Sequence, residues 1–110
     1  MARFVKGDIV VVPFPFSNLT QSKRRPALVI ANLHGNDIIL CQITSQNVSD
    51  TYSISLTDND LQAGSLKKAS NIRPNRIFTA DNRIILYKIG GIKKTKMEEV
   101  INTLIMIVQS

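Results

Sequence analysis

Two short apolar runs, Pro26-Ala27-Leu28-Val29-Ile30-Ala31-Asn32 and Asp37-Ile38-Ile39-Leu40-Cys41-Gln42-Ile43-Thr44-Ser45, flank the turn signal Leu33-His34-Gly35-Asn36. Both are short and rich in β-branched residues, and together with the turn they predict a β-hairpin. The register follows from the turn. With His34-Gly35 as the loop residues, Arg25 lies directly opposite Thr44; with Gly35-Asn36 the two are diagonal neighbours on one face, about 7–8 Å apart. Either arrangement brings a guanidinium and a hydroxyl together. The same count sets His34, the single histidine, roughly 30 Å along the strand from Arg25. That makes it a turn residue and removes it from chemistry at Arg25 within one subunit.

Other elements are punctuated as clearly. Gly7-Asp8 turns the chain into Ile9-Val10-Val11-Val12, a buried strand closed by Pro13. Pro13-Phe14-Pro15-Phe16 leads into a polar surface loop from Ser17 to Arg25. Beyond the hairpin, Tyr52 to Thr57 alternates apolar with polar as a half-buried strand does, and Asp58-Asn59-Asp60 breaks it without the ligand spacing of a calcium loop. Ser65 to Asn75 and Ile77-Phe78-Thr79 read as one or two irregular strands with Lys67, Lys68 and Arg73 on a basic outer side. A last strand, Ile84 to Ile89, is ended by Gly90-Gly91. Thr95 with Glu98 forms a capping-box pair for a C-terminal helix. Its apolar face comprises Met97, Val100, Ile101, Leu104, Ile105 and Val108, which pack on the sheet. The expected architecture is mainly β (α+β): a small, strongly curved barrel of six or seven strands with the helix over one opening.

The run Lys23-Arg24-Arg25-Pro26 delivers three cations into the second strand. Guanidinium forks match phosphate oxygens, and the proline pins the last of them at the strand entry. The whole chain carries 14 Lys and Arg against 8 Asp and Glu, a net charge of +6, which favours a polyanionic partner. With two Tyr, four Phe and no Trp, an extended base-stacking platform is disfavoured. The 110 residues fit one domain, residues 1–110. No apolar run reaches the ~18 residues that span a bilayer, and the N-terminus lacks a signal-peptide core, so a cytoplasmic protein is expected. The single cysteine, Cys41, reads as a small core residue.

Gly7-Asp8-Ile9-Val10, Arg25-Pro26-Ala27-Leu28-Val29-Ile30, Ile43-Thr44-Ser45-Gln46 and the terminal amphipathic helix, in this order, resemble the MazF/PemK toxins of type II toxin–antitoxin systems. The resemblance spans nearly the whole chain. It implies an SH3-like barrel, a homodimer, no cofactor or metal, and a single-strand-specific endoribonuclease silenced by a cognate acidic antitoxin. The family's catalytic Arg and Thr match Arg25 and Thr44, the pair already joined by the hairpin. The 2′-hydroxyl of the substrate would attack the adjacent phosphorus, with Arg25 stabilising the phosphorane. Gln21, Lys23, Arg24, Ser45, Gln46, Asn71 and Arg73 are candidate RNA-binding residues. This chain departs from the family pattern in three places: Thr20 precedes Gln21 where several members have a carboxylate, Pro13 and Pro15 occupy the exit of the first strand, and Ser70-Asn71 stands where an acidic residue and Gln are common. The general base is therefore unassigned. A non-catalytic binder of the same fold, like the gyrase-binding CcdB toxins, is the alternative, and a plain RNA-binding module the third.

Overall fold

The computed structural model describes residues 4–14 and 23–110, the side chain of Phe14 apart. Seven strands run β1 (Asp8–Phe14), β2 (Lys23–Asn32), β3 (Asp37–Thr44), β4 (Ile54–Leu56), β5 (Leu61–Gly64), β6 (Ser70–Asp81) and β7 (Tyr87–Ile92), followed by one helix, α1 (Lys94–Gln109). They form a single antiparallel sheet in the order β4-β6-β3-β2-β1-β7-β5. One buried cluster takes Ile9, Leu28, Cys41, Ile43, Ile54, Leu56, Leu61, Ile72 and Ile92 from all seven strands, and Met97 and Val100 from α1. Side chains from both ends of the strand order can meet only if the sheet curls on itself, which gives the expected half-barrel with the helix over its open side.

A second cluster, Val10, Val12, Ala27, Val29, Ile38 and Leu40, lies on the opposite face and is fully buried, with Phe4, Phe78, Ala80 and Ile85 packed against it. Burial on both faces explains why β1, β2 and β3 read as near-continuous apolar runs. Alternation along β2 therefore carries meaning. Leu28 and Ile30 face the interior cluster while Ala27 and Val29 face the second.

The hairpin register combines both parts of the expectation. At the turn, Asn32 pairs with Ile38, which matches neither simple loop. A bulge between Val29 and Ala31 then shifts the ladder, and Leu28↔Cys41 and Ala27↔Gln42 follow the first of the two registers. Carried two residues further, it sets Arg25 opposite Thr44. Gly35 makes the turn at a φ of 74°, where a side chain would be strained.

Several expectations are corrected. Pro13 does not close the first strand: Pro13↔Arg24 and Phe14↔Lys23 are paired, so Lys23 to Arg25 belong to β2 and not to a preceding loop. A residue's N–H and C=O point to the same side of a strand. The Val11 carbonyl accepts from Leu86 N–H at 2.9 Å on the β7 side, and β7 pairs no further than Val11. The N–H that Pro13 lacks would therefore have pointed to the side where, among the described residues, no strand pairs. The remainder of the expected loop, Pro15 to Ser22, lies outside the described residues. Gly90-Gly91 likewise do not end the last strand. They are its middle, because β5 crosses so closely that a Cβ on Gly90 would sit 2.6 Å from the Ala63 carbonyl. Leu61–Gly64, to which the sequence assigns no element, forms β5.

The helix starts at Lys94 with Lys93 as N-cap, so Thr95 lies inside the first turn and caps nothing. The box closes elsewhere: the Asp60 carboxylate accepts from Thr57 N–H at 2.9 Å. Lys96, unfavourable for the helix dipole, is tied down instead by Asp60 at 3.5 Å, Glu99 at 3.2 Å and the Ser55 carbonyl at 3.1 Å. Met97 and Val100 are buried, but Ile105 and Val108 of the expected packing face are 45 % and 75 % exposed. The sheet covers the helix as far as Leu104. Cys41 is buried, and desolvation pushes its thiol up to about 12, outweighing a smaller lowering by the Arg73 backbone; its S–H donates to the Arg73 carbonyl at 3.0 Å. It is an inert core group. No helix among the described residues is long and apolar enough to cross a membrane.

Candidate nucleic-acid interface

Strand register sorts the candidate residues onto two faces. Arg25 pairs with Val12, Thr44 pairs with Asn71, and Asn71 pairs with Ser55, so Arg25, Thr44, Asn71 and Ser55 form a row across β2, β3, β6 and β4 on the face of the second cluster. Gln42↔Arg73 forms the next row. Arg24, Pro26, Ile43 and Ser45 alternate onto the interior face. There the barrel mouth opens into a cleft of about 430 Å³. Arg24, Pro26, Val11, Tyr87 and Ile89 of β1, β2 and β7 line it together with Ser65, Leu66, Lys67, Lys68 and Ser70, and Arg25 and Thr44 reach it as well. Among the described residues no carboxylate lines it. Among the described residues Arg24, Lys67 and Lys68 make no ion pair, whereas Arg73, Arg83, Lys88 and Lys96 each hold an acidic partner. Three cations without a carboxylate partner among the described residues, Arg24, Lys67 and Lys68, therefore share this mouth. A depression of about 410 Å³ beside α1 contains Glu98 and Glu99 and suits a polyanion poorly.

The turn after β3 folds back on Thr44. Gln46 N–H donates to Thr44 Oγ1 at 3.2 Å, and Asn71 Nδ2 donates to the Gln46 carbonyl at 3.2 Å. With one lone pair so occupied, the threonine hydroxyl keeps its proton for an outside acceptor. Arg73 reaches Asp50 Oδ2 at 3.1 Å, and Asp50 Oδ1 accepts from Tyr52 N–H at 3.0 Å and Ser53 N–H at 3.1 Å. Asn71 and Arg73 therefore hold the segment from Gln46 to Ser53 against β6. Ser45 and Gln46 are exposed beside it, Lys23 is exposed at the start of β2, and Gln21 lies outside the described residues. Lys67, Lys68 and Tyr87 are additional lining residues. The Lys67-Lys68 doublet after Gly64 was a visible charge signal, but its place at the mouth depends on the long-range pairing of β5 with β7.

Asp50 offers a test of this tether. Its partial desolvation, the largest influence, raises the pKa; the Tyr52 N–H, the Arg73 guanidinium and the Ser53 N–H together outweigh it and hold the carboxyl below its usual range. A depressed folded-state pKa stabilises above the unfolded value near ~4 and is lost as pH falls through the folded one. Asp50→Asn is expected to melt a few degrees below wild type at pH 7, with the gap closing below pH ~4. Parallel melting curves down to pH ~3 would contradict the tether.

A curled seven-stranded antiparallel sheet and one terminal helix, with a basic cleft at the barrel mouth, define a small half-barrel of the mainly β class. The sequence matches the PemK-like, MazF-like toxin of type II toxin–antitoxin systems over residues 5–108, and the chain belongs to that family. MazF from Deinococcus radiodurans superposes with a TM-score of 0.78 at 19 % identity, covering 100 % of both chains. The MazE–MazF complex of the same organism gives 0.77 at 18 %, covering 96 % of this chain and 95 % of that one. An endoribonuclease in complex with its cognate antitoxin from a mycobacterial species gives 0.77 at 12 %, covering 97 % and 96 %. At such identities the likeness speaks for the fold. Among curated proteins none matches the chain.

Proposed function

We propose that this toxin is a metal-independent endoribonuclease that cleaves single-stranded RNA at Arg25 and Thr44. The observation carrying the reading is that both residues line one cleft, that the Ala27↔Gln42 register carried two residues further would set them opposite each other, and that among the described residues this cleft holds four cations and no carboxylate. In the reaction the substrate's 2′-oxygen bonds to the adjacent phosphorus, the P–O5′ bond breaks, and the products are a 2′,3′-cyclic phosphate and a 5′-hydroxyl. The extra negative charge of the phosphorane falls on its equatorial oxygens. A fixed guanidinium and a hydroxyl donor stabilise that charge more than the ground state, which is what accelerates a reaction.

A cognate acidic antitoxin is the expected inhibitor, because a chain of carboxylates competes for the same cations. The named relatives crystallised with antitoxins support this partner. A homodimer belongs to the same reading: Ile77 on β6 and Ile105, Met106 and Val108 on α1 are exposed apolar surface that a second copy would bury. The test is incubation of the purified protein with a long single-stranded RNA in excess EDTA, with the product ends analysed. Cyclic-phosphate ends that disappear when the 2′-hydroxyl at the cut is replaced by hydrogen are expected. RNA left intact by folded protein would overturn the reading in favour of a non-catalytic binder.

A further inference from the structure

We propose that the cleft on the interior face is a nucleobase subsite, in which Tyr87 stacks a base next to the scissile phosphate while Arg24, Lys67 and Lys68 hold the flanking phosphates. This rests on the reading of the site as an RNA site and assigns to it residues outside the catalytic pair. Val11 pairs with Tyr87 on one side and Pro26 on the other, so the three side chains stand in line on one face of β7, β1 and β2. Neighbouring strands are about 4.8 Å apart, and this apolar strip is roughly 10 Å long, the scale of a planar base. Tyr87 lines the cleft and is 47 % exposed, so its ring is not spent on the core.

The Ser65 to Lys68 segment, which lines the same cleft, is fastened in place. Leu66 N–H donates to Asp58 Oδ1 at 2.8 Å, its side chain packs on the interior cluster, and Ser70 Oγ donates to the Lys68 carbonyl at 3.0 Å. Lys67 and Lys68 are thereby held in one cleft with Arg24. An aromatic face on an apolar floor between cations is how proteins bind single strands, since every base has a π face and every link a charge. An acidic peptide would satisfy the cations but leave the ring and its apolar strip without a purpose. The geometry also joins the two faces of the sheet. Arg25 directly precedes Pro26, so a strand crossing the ends of β2 and β3 presents a phosphate to Arg25 and Thr44 and turns its neighbouring base inward onto Val11 and Tyr87.

The chain has two tyrosines and no tryptophan, so in a Tyr52→Phe background tyrosine emission reports on Tyr87 alone. Titration with a 2′-O-methyl oligoribonucleotide, which binds without being cut, is expected to quench it. Tyr87→Ala should weaken binding about 5- to 100-fold while Tyr87→Phe stays near wild type. Lys67→Ala and Lys68→Ala should each lower affinity equally for all sequences and flatten its salt dependence. Oligonucleotide bound without quenching, and with equal affinity by Tyr87→Ala, would overturn the subsite and leave the nuclease reading standing. No binding and no RNA cleavage by wild type would overturn both. Quenching by polyglutamate but not by the oligonucleotide would make the cleft a peptide site and overturn the subsite.

Discussion

Arg25→Ala is expected to lower RNA cleavage by about 10²–10³-fold while the melting temperature stays near that of wild type. The size follows from what the guanidinium does. It stays charged at any working pH and is aimed by the rigid β2 backbone, so its field at the phosphorane needs no reorganisation. Arg25→Lys keeps the charge but loses the planar fork, and should recover only part of the rate. Thr44→Val removes the hydroxyl with little change of shape and should cost roughly 10–100-fold. If both groups serve the same oxygens, the double variant will lose less than the product of the single losses. Single-turnover cleavage of a defined oligoribonucleotide measures all four. A folded Arg25→Ala that cuts at the wild-type rate would remove Arg25 from the chemistry.

The register that leads to Arg25 and Thr44 is legible because a hairpin is local: the turn and the count of residues set it, and beyond the unforeseen bulge after Val29 the ladder runs through Leu28↔Cys41 and Ala27↔Gln42 as one of the two counts expects. β1, β3 and the terminal helix were legible for a similar reason, as each is announced by its own run of side chains. What sequence missed depends on contacts between distant segments. Gly90-Gly91 punctuate a chain when read locally, yet here they let β5 approach β7. Thr95 and Glu98 have capping-box spacing, but Lys93 is held by the Asp60 carbonyl at 2.8 Å and starts the helix first. Tyr87, read locally, is only one residue of the last strand. Only its pairing with Val11 places it in the cleft.

Gly64→Ala should destabilise the fold by about 3 kcal/mol, a fall of roughly 10–20 °C in melting temperature. Two costs combine at this residue. Gly64 has a φ of 80°, where a side chain is disfavoured by roughly 1–2 kcal/mol. Its new Cβ would also collide with the Ile89 carbonyl and the backbone of Gly90 in β7, none of which is the flexible end of a side chain. Relief requires β5 to separate from β7, and β5 leads directly into the segment that carries Lys67 and Lys68. The variant should therefore bind RNA more weakly than its loss of stability alone explains, because the cations move away from Arg24 even in molecules that remain folded. Gly35→Ala is the control. It shares the positive φ of 74°, but nothing lies within 4 Å of the added methyl and the turn is remote from the cleft. It should cost only the backbone term, about 1–2 kcal/mol, and leave RNA affinity unchanged. Denaturation and binding measured on both variants separate the two contributions, and equal losses at the two glycines would show that the β5–β7 approach does not hold the cleft together.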